Sequence, residues 1–316
     1  MNKLLIICGP TATGKTKLAL KLAKKFNGEL ISADSRQVYK GMNVGTGKDI
    51  GNSEFTGVNN KYDLGYYDLS RVPLWLLDVV EPNQSFSVAD YYQLAWLVIE
   101  DIWKRGKLPI LVGGTGLYIK AIIDGIETIG IPPNQKLRSK LEKKLLTDLQ
   151  NQLKELNLQK WNLMNNSDKN NKRRLVRAIE ISIKYQVSRI KNNPKKDSDP
   201  LFVGLTASQE ALYKRIDERV EKRVKQGIIK EIQSLLNKGY NWDLYSMSGL
   251  GYKQWKEYFQ NTEDAKTAIE KWKQAECNYA KRQRTWLKKD KRIIWFDVIK
   301  TDYQKAVVAK IANWYL

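Results

Sequence analysis

The chain has 316 residues, 42% of them hydrophobic and 28% charged, enough for one large domain or two modest ones around a real core. With 55 Lys+Arg against 34 Asp+Glu the formal charge is +21, and two cysteines with no histidine exclude both a Cys/His zinc site and a disulfide framework. No stretch approaches the roughly 20 apolar residues of a membrane span, so a cytoplasmic protein that meets a polyanion is expected. Residues 1–120 carry 15 basic against 11 acidic residues and the remainder 40 against 23. The excess therefore reads as a surface of the C-terminal two-thirds and not as a catalytic pocket. A Lys-rich proteome would give the same count, and charge alone does not decide.

Residues 4–8 form an apolar run ended by Gly9, the pattern of a buried parallel strand; the run is too short for a signal peptide. Leu18, Leu22 and Phe26 then recur at helical spacing. Residues 29–32 predict a second strand, and 41–71, rich in Gly, Asn and Asp, a long loop. Residues 74–80 are another apolar run. Ser87 with Asp90 predicts a capped helix to about residue 104. A strand over 108–112, a turn at Gly113-Gly114 and a helix over 115–123 follow. Pro132-Pro133 marks a break, after which 134–186 reads as two helices around an Asn-rich loop at 162–171. Residues 201–206 return to strand character, and helix is expected from 208 until a strand at 292–298. The fold class is α/β: a P-loop NTPase-like parallel sheet core at 1–125, a helical insertion domain at 126–199, and a return to the core with a helical C-terminal portion at 200–316.

Between the first strand and first helix, Gly9, Pro10, Thr11, Ala12, Thr13, Gly14, Lys15 and Thr16 fit G-x-x-x-x-G-K-[ST]. Backbone N–H groups at a helix N-terminus cradle a polyphosphate, Lys15 offsets its charge, and Thr16 reaches Mg²⁺. The loop does not reveal what the phosphates carry; a nucleotide such as ATP is its commonest ligand. Asp34 follows the second strand, where it is either a base for an acceptor or a turn residue. Asp78 ends a Walker-B-like run and suits a metal-linked or a turn role. The N-K-x-D sequence at 60–63 lies in the wrong context to read guanine. The Gly113–Gly114 turn would let Thr115 point into a site, or serve packing alone. Arg173, Arg174 and Arg177 open a helix, where cations oppose the dipole and favour an anionic partner. Trp272, Tyr279 and Trp286 fall seven apart and read as a core face, with basic residues between them available to RNA.

The ordered series of segments resembles the bacterial tRNA dimethylallyltransferases, the isopentenyltransferase family. It runs from Gly-Pro-Thr-Ala-x-Gly-Lys-Thr at 9–16 through Ser-Ala-Asp-Ser-Arg-Gln-Val-Tyr at 32–39 to Gly-Thr-Gly-Lys at 45–48 and Ser-Val-Ala-Asp at 87–90. It continues with Ile-Leu-Val-Gly-Gly-Thr-Gly-Leu-Tyr at 110–118, Arg-Leu-x-Arg-Ala-Ile-Glu at 174–180, Gly-Tyr-Lys-Gln at 251–254, and Ala-Lys-Arg-Gln-x-Thr-Trp at 280–286. The resemblance implies transfer of a dimethylallyl group from dimethylallyl diphosphate to N6 of the adenosine 3′-adjacent to the anticodon in tRNA. Residues 9–16 would hold the donor diphosphate with Mg²⁺, Asp34 would accept the amine proton, Thr115 would lie beside the target nucleotide, and Arg215 or, in preference, Arg219 would add positive charge at the donor. Asp34, Ser35, Arg36, Gln37, Thr115, Arg138, Arg173, Arg174, Leu175, Val176, Arg177, Gly249, Leu250, Gly251, Tyr252, Lys253 and Gln254 would contact tRNA, with the insertion clasping its anticodon stem-loop. A monomer is expected. The family's usual histidines ahead of Asp78 and in the insertion are absent, which bears on tRNA docking more than on chemistry. The rival readings are a small-molecule kinase, which leaves the basic C-terminal part without a task, and an RNA-binding protein with a vestigial P-loop.

Overall fold

A computed structural model describes residues 2–58, 64–126, 128–185 and 197–315; the N-K-x-D sequence at 60–63 lies outside the described residues. The chain divides into two compact units, Met1–Ile123 with Lys196–Leu316, and Asp124–Lys195.

The larger unit is built on one sheet of β1 (Lys3–Cys8), β2 (Gly28–Ala33), β3 (Phe55–Gly57), β4 (Gly65–Asp68), β5 (Pro73–Trp75), β6 (Leu108–Gly113), β7 (Asp199–Thr206) and β8 (Ile294–Asp297). Their order is β3-β4-β5-β2-β6-β1-β7-β8. Strands β5, β2, β6, β1, β7 and β8 run parallel, and β3 and β4 add antiparallel pairs at one edge. Leu4 to Cys8 of β1 are wholly buried, as continuous apolar runs in doubly covered parallel strands must be. Helix Val88–Lys104 starts on the predicted capping box: Ser87 accepts from Ala89 N and Asp90 N, and Asp90 accepts from Ser87 N at 2.8 Å. The strand order puts the carboxyl ends of β1, β2 and β6 side by side, where open α/β sheets bind ligands.

Several local expectations are corrected. Strands β3 and β4 occupy part of the expected 41–71 loop; they are only three and four residues long, too short to show against the surrounding Gly and Asn. The 74–80 run is strand only to Trp75, because Leu76 and Asp78 adopt left-handed φ of 64° and 53°. Asp78 is buried and accepts from Lys48 Nζ and from Tyr67 OH at 2.8 Å, which makes it an internal ion-pair partner and not a strand-end ligand. Of the three aromatic residues seven apart, only Trp272 is core; Tyr279 is half-buried and Trp286 exposed. A last helix, Tyr303–Tyr315, follows the 292–298 strand; it falls within the expected helical C-terminal portion, although no separate helix is predicted there.

Among its described residues the smaller unit has five helices where two were expected: Gln135–Leu141, Leu146–Leu156, Leu158–Leu163, Asn166–Lys169 and Lys172–Tyr185. Asn157 and Asn165 are the reason: each side chain caps a new helix N-terminus, accepting from Lys160 N and Asp168 N. Leu141, Leu149, Leu153, Met164, Leu175, Val176, Ala178 and Ile179 form a separate core.

Candidate active site

The P-loop connects β1 to helix Lys15–Lys25. Gly9 passes so close to β7 that a Cβ there would come within 2.4 Å of the Leu205 carbonyl, which fixes glycine at the loop's first position. Thr13 Oγ1 donates to Pro10 O at 2.9 Å and closes the loop on itself. Gly14 is the left-handed N-cap, and the first turn beyond it holds no acidic residue, so the helix presents its positive end to an anion. Lys15 Nζ donates to Pro10 O at 2.7 Å. Burial, then the neighbouring Arg219, lower the Lys15 pKa from 10.5 to about 8.

Asp34 and Thr115 leave the carboxyl ends of β2 and β6. Asp34 Oδ1 accepts from Arg36 N at 2.9 Å, an Asx-type turn that fixes the carboxylate's direction. Thr115 N donates to Ala33 O at 3.1 Å, and Thr115 Oγ1 accepts from Ser35 N at 3.1 Å, binding the two strand ends together. Gln37 Oε1 accepts from Ser32 Oγ, and its amide donates to Gly47 O at 3.1 Å.

These segments open on one cleft of about 700 Å³. Thr11, Ala12, Gly14, Lys15, Thr16, Asp34, Ser35, Arg36, Gln37, Arg219 and Leu250 all line it. Arg219 Nη1 donates to Thr11 Oγ1 at 2.6 Å, so helix Gln209–Lys225 reaches the P-loop. Eight cationic side chains line the cleft against the four carboxylates of Asp34, Asp49, Glu218 and Glu276, an excess that favours a polyanion. Five of the eight, Arg215, Arg219, Lys222, Arg223 and Arg282, come from the C-terminal part. The expectation that its charge lies outside the pocket is therefore corrected: spacings of four, three and one along a helix put Arg215, Arg219, Lys222 and Arg223 on one face.

Other residues of the site are not evident from the sequence. Gln283 Oε1 accepts from Thr11 N at 2.9 Å and its Nε2 donates to Gly114 O at 3.1 Å, so one buried amide joins both glycine turns. The buried Arg223 donates to Glu276 Oε1 at 3.2 Å. The Glu231 carboxylate accepts from the backbone N–H of Asn43 (2.9 Å), Val44 (2.7 Å) and Gly45 (3.0 Å) and from Tyr252 OH at 2.6 Å. It thereby orders the Gly-Thr-Gly-Lys segment that walls the cleft. Burial and the Asp34 carboxylate hold the Tyr279 hydroxyl protonated, against a hydrogen bond with Thr115. Gln283 has a signal in its place in the 280–286 segment, Tyr252 in the 251–254 segment and Tyr279 in the spacing of seven; Arg223, Glu231 and Glu276 have none.

The remaining expected RNA contacts divide. Lys253 is exposed, and Gly251 N donates to Gln254 Oε1 at 3.1 Å. Tyr252 is fully buried, so its side chain is a brace for Glu231 and not an RNA contact. Leu175 and Val176 lie in the core of the smaller unit, and their side chains are likewise withdrawn. Arg138, Arg173, Arg174 and Arg177 belong to that unit too. Arg138 donates to the buried Glu180 at 2.8 Å, and Arg177 donates to Glu180 and to Thr128 O and Ile131 O. Arg174 pairs with Asp168. Burial alone would raise the Glu180 pKa, but Arg138, Asn134 N and Arg177 hold it below the usual value.

The IPP transferase family model matches residues 37–290, and an isopentenyl transferase model matches residues 2–64. The tRNA dimethylallyltransferase of Anoxybacillus flavithermus is 39% identical over 301 residues, covering 94% of this chain and 91% of that protein. That of Acetivibrio thermocellus is 36% identical over 328 residues, covering 100% and 98%. The structure of the tRNA isopentenylpyrophosphate transferase from Bacillus halodurans superposes with a TM-score of 0.70 at 35% identity, over 99% of this chain and 96% of that one. A eukaryotic dimethylallyltransferase, at 24% identity and a TM-score of 0.76 over 98% and 78% of the two chains, shares the fold. With a phosphate-binding loop, a strand-end carboxylate and a cationic helix on one cleft, and with family similarity along nearly its whole length, this chain belongs to the IPP transferase family, the tRNA dimethylallyltransferases.

Proposed function

We propose that the protein transfers the dimethylallyl group of dimethylallyl diphosphate to N6 of the adenosine 3′-adjacent to the anticodon of tRNA, acting as a monomer in the cytoplasm. The observation that carries this reading is the shared cleft: the P-loop, Asp34 and Arg219 face one volume. An exocyclic adenine amine is a poor nucleophile, so the C–O bond of the donor must weaken as the C–N bond forms. The leaving diphosphate then gathers charge, and preorganised donors lower the barrier most. The N–H groups of the P-loop, Lys15 and Arg219 are those donors. Asp34, held by Arg36 N, takes the amine proton late in the reaction. Thr115, tied to Ser35, stands beside the acceptor base.

Mg²⁺ fits this donor set. Among the described residues no cluster of three Asp, Glu, Cys or His could hold a metal, and Thr16 lies in the first turn of the P-loop helix. The Thr16 hydroxyl would be the protein's contribution to an ion held otherwise by donor phosphate oxygens and water, and that ion would neutralise charge on the diphosphate. The larger unit's basic helix suits a nucleic acid acceptor. No helix among the described residues is long and apolar enough to cross a membrane.

The test is nucleoside mass spectrometry of tRNA incubated with the protein, dimethylallyl diphosphate and Mg²⁺. A dimethylallylated adenosine next to the anticodon is expected, together with a donor-dependent rise in Tm. Phosphoryl transfer from ATP to a nucleoside or sugar, with unmodified tRNA, would install the kinase reading instead.

A further inference from the structure

Helix Ala265–Leu287 passes the cleft with one face, on which Tyr279, Arg282, Gln283 and Trp286 follow at spacings of three, one and three. The first three line the cleft. Trp286 stands one turn further on and is 38% exposed. Its indole lies against Gly116, where a Cβ would come within 2.0 Å of the ring. Gly116 follows Thr115, so this ring borders the segment whose hydroxyl meets Ser35 beside Asp34. Leu117 next to it is 49% exposed, and the Arg282 guanidinium sits 5.7 Å over the Tyr279 ring. Covering Gly116 needs an apolar side chain but not an indole. An open aromatic surface beside a guanidinium, at the edge of a cationic cleft, is the chemistry that receives an unpaired base and its phosphate.

We infer that Trp286 is a stacking platform for a nucleobase of the RNA acceptor, the immediate neighbour of the adenosine that enters the cleft, with Arg282 facing its phosphate. The inference rests on the proposed function. A base that leaves its stack to enter a pocket strips its neighbour of a partner, and the indole replaces that partner. Trp286 thus positions the loop without touching the reacting atoms.

The experiment is a cycle of protein and RNA changes. Single-turnover rates are measured on an anticodon stem-loop RNA and on two versions with an abasic residue 5′ or 3′ of the target adenosine. The substitution W286L keeps an apolar cover on Gly116 and removes the aromatic face; W286F keeps both. On intact RNA, W286L should lower kcat/KM about tenfold, as loss of one base–aromatic stack does, with W286F within about threefold. On one of the two abasic RNAs the W286L deficit should shrink to about twofold or less. The Tm rise with dimethylallyl diphosphate and Mg²⁺ should match the unsubstituted protein in both variants. An equal deficit on all three RNAs, or no deficit on intact RNA, overturns the stacking role. Failure of the unsubstituted protein to modify any RNA refutes the proposed function itself, a distinguishable result.

Discussion

Helices Gln209–Lys225 and Lys172–Tyr185 are both rich in arginine, yet their guanidiniums meet different neighbours. In the second, Arg177 closes around the buried Glu180 together with Arg138 from helix Gln135–Leu141, and Arg174 pairs with Asp168. In the first, Arg215, Arg219 and Lys222 face the cleft, and only Arg223 is spent on a buried carboxylate, Glu276. Equal charge in a sequence therefore does two jobs. One set of cations organises a small core, whose buried acid cannot be left unpaired. The other keeps a positive potential for something from outside.

Exchanging one arginine from each helix tests that division most severely. Arg219→Ala should lower the single-turnover rate by ~10²–10³ with little change in Tm, the range seen when one charge-stabilising donor is removed. Arg177→Ala should leave donor binding unchanged and lower the stability of the smaller unit, because Glu180 loses a partner and two carbonyls lose theirs. Urea unfolding followed beside donor titration separates the two; a catalytic collapse in Arg177→Ala with an unchanged unfolding curve would erase the contrast.

Asp34→Ala should cost at least ~10² in single-turnover rate while tRNA affinity stays within a few-fold. Near-normal turnover would reduce Asp34 to a turn residue.

The next effect is on pH. Lys15 has a folded pKa of about 8 against an ordinary 10.5. Below pH 8 it is charged in both states and its burial counts against the fold. Between about 8 and 10.5 the folded chain sheds the proton first, so this contribution to stability rises with pH. Donor binding runs the other way, because the diphosphate needs the ammonium. Affinity should fall about tenfold per pH unit above pH 8. Isothermal titration at pH 7, 8 and 9 measures it, and a flat profile would show that Lys15 stays charged.

The smallest effect is on salt dependence. Alanine at Arg215 and Lys222 should flatten the log–log slope of tRNA binding by up to roughly 0.7–0.9 for each phosphate that is no longer neutralised. Alanine at Arg174 and Arg177 should change it less, since each guanidinium is already engaged by a carboxylate and not by a phosphate. A larger change from the second pair would reverse the assignment of the two helices.

The P-loop and its sheet are legible in the sequence because their signals are local: an apolar run, a glycine pattern and a helical repeat within about 25 residues. The carboxylate at Asp34 is legible by its place after a strand. Gln283, Glu231 and the Arg223–Glu276 pair are not, since each acts on backbone or side chains remote in sequence, such as Gln283 on Thr11, 272 residues away. No periodicity reports such a pairing. The short strands β3 and β4 are hidden by their length, and the Asn-capped helices because the same residue marks loops and helix starts. Tyr279 and Trp286 share a helical face with Trp272, and spacing alone places all three in one core, but that face leaves the core where it passes the cleft.

The sheet's register also carries a consequence for how the chain is made. Strand β1 lies between β6 and β7, and Lys3 pairs with Asp199, 196 residues later. A ribosome must therefore release the first strand, the P-loop and the whole smaller unit before β1 acquires its second neighbour. The smaller unit has its own core and can fold in the meantime. Until β7 arrives, one edge of a strand that is apolar from Leu4 to Cys8 stays open, the kind of surface that aggregates or engages chaperones. The cleft matures later still, because Arg219 and Gln283 are made after β7. The contacts that these two side chains make to Thr11 therefore form only once helix Ala265–Leu287 is nearly complete.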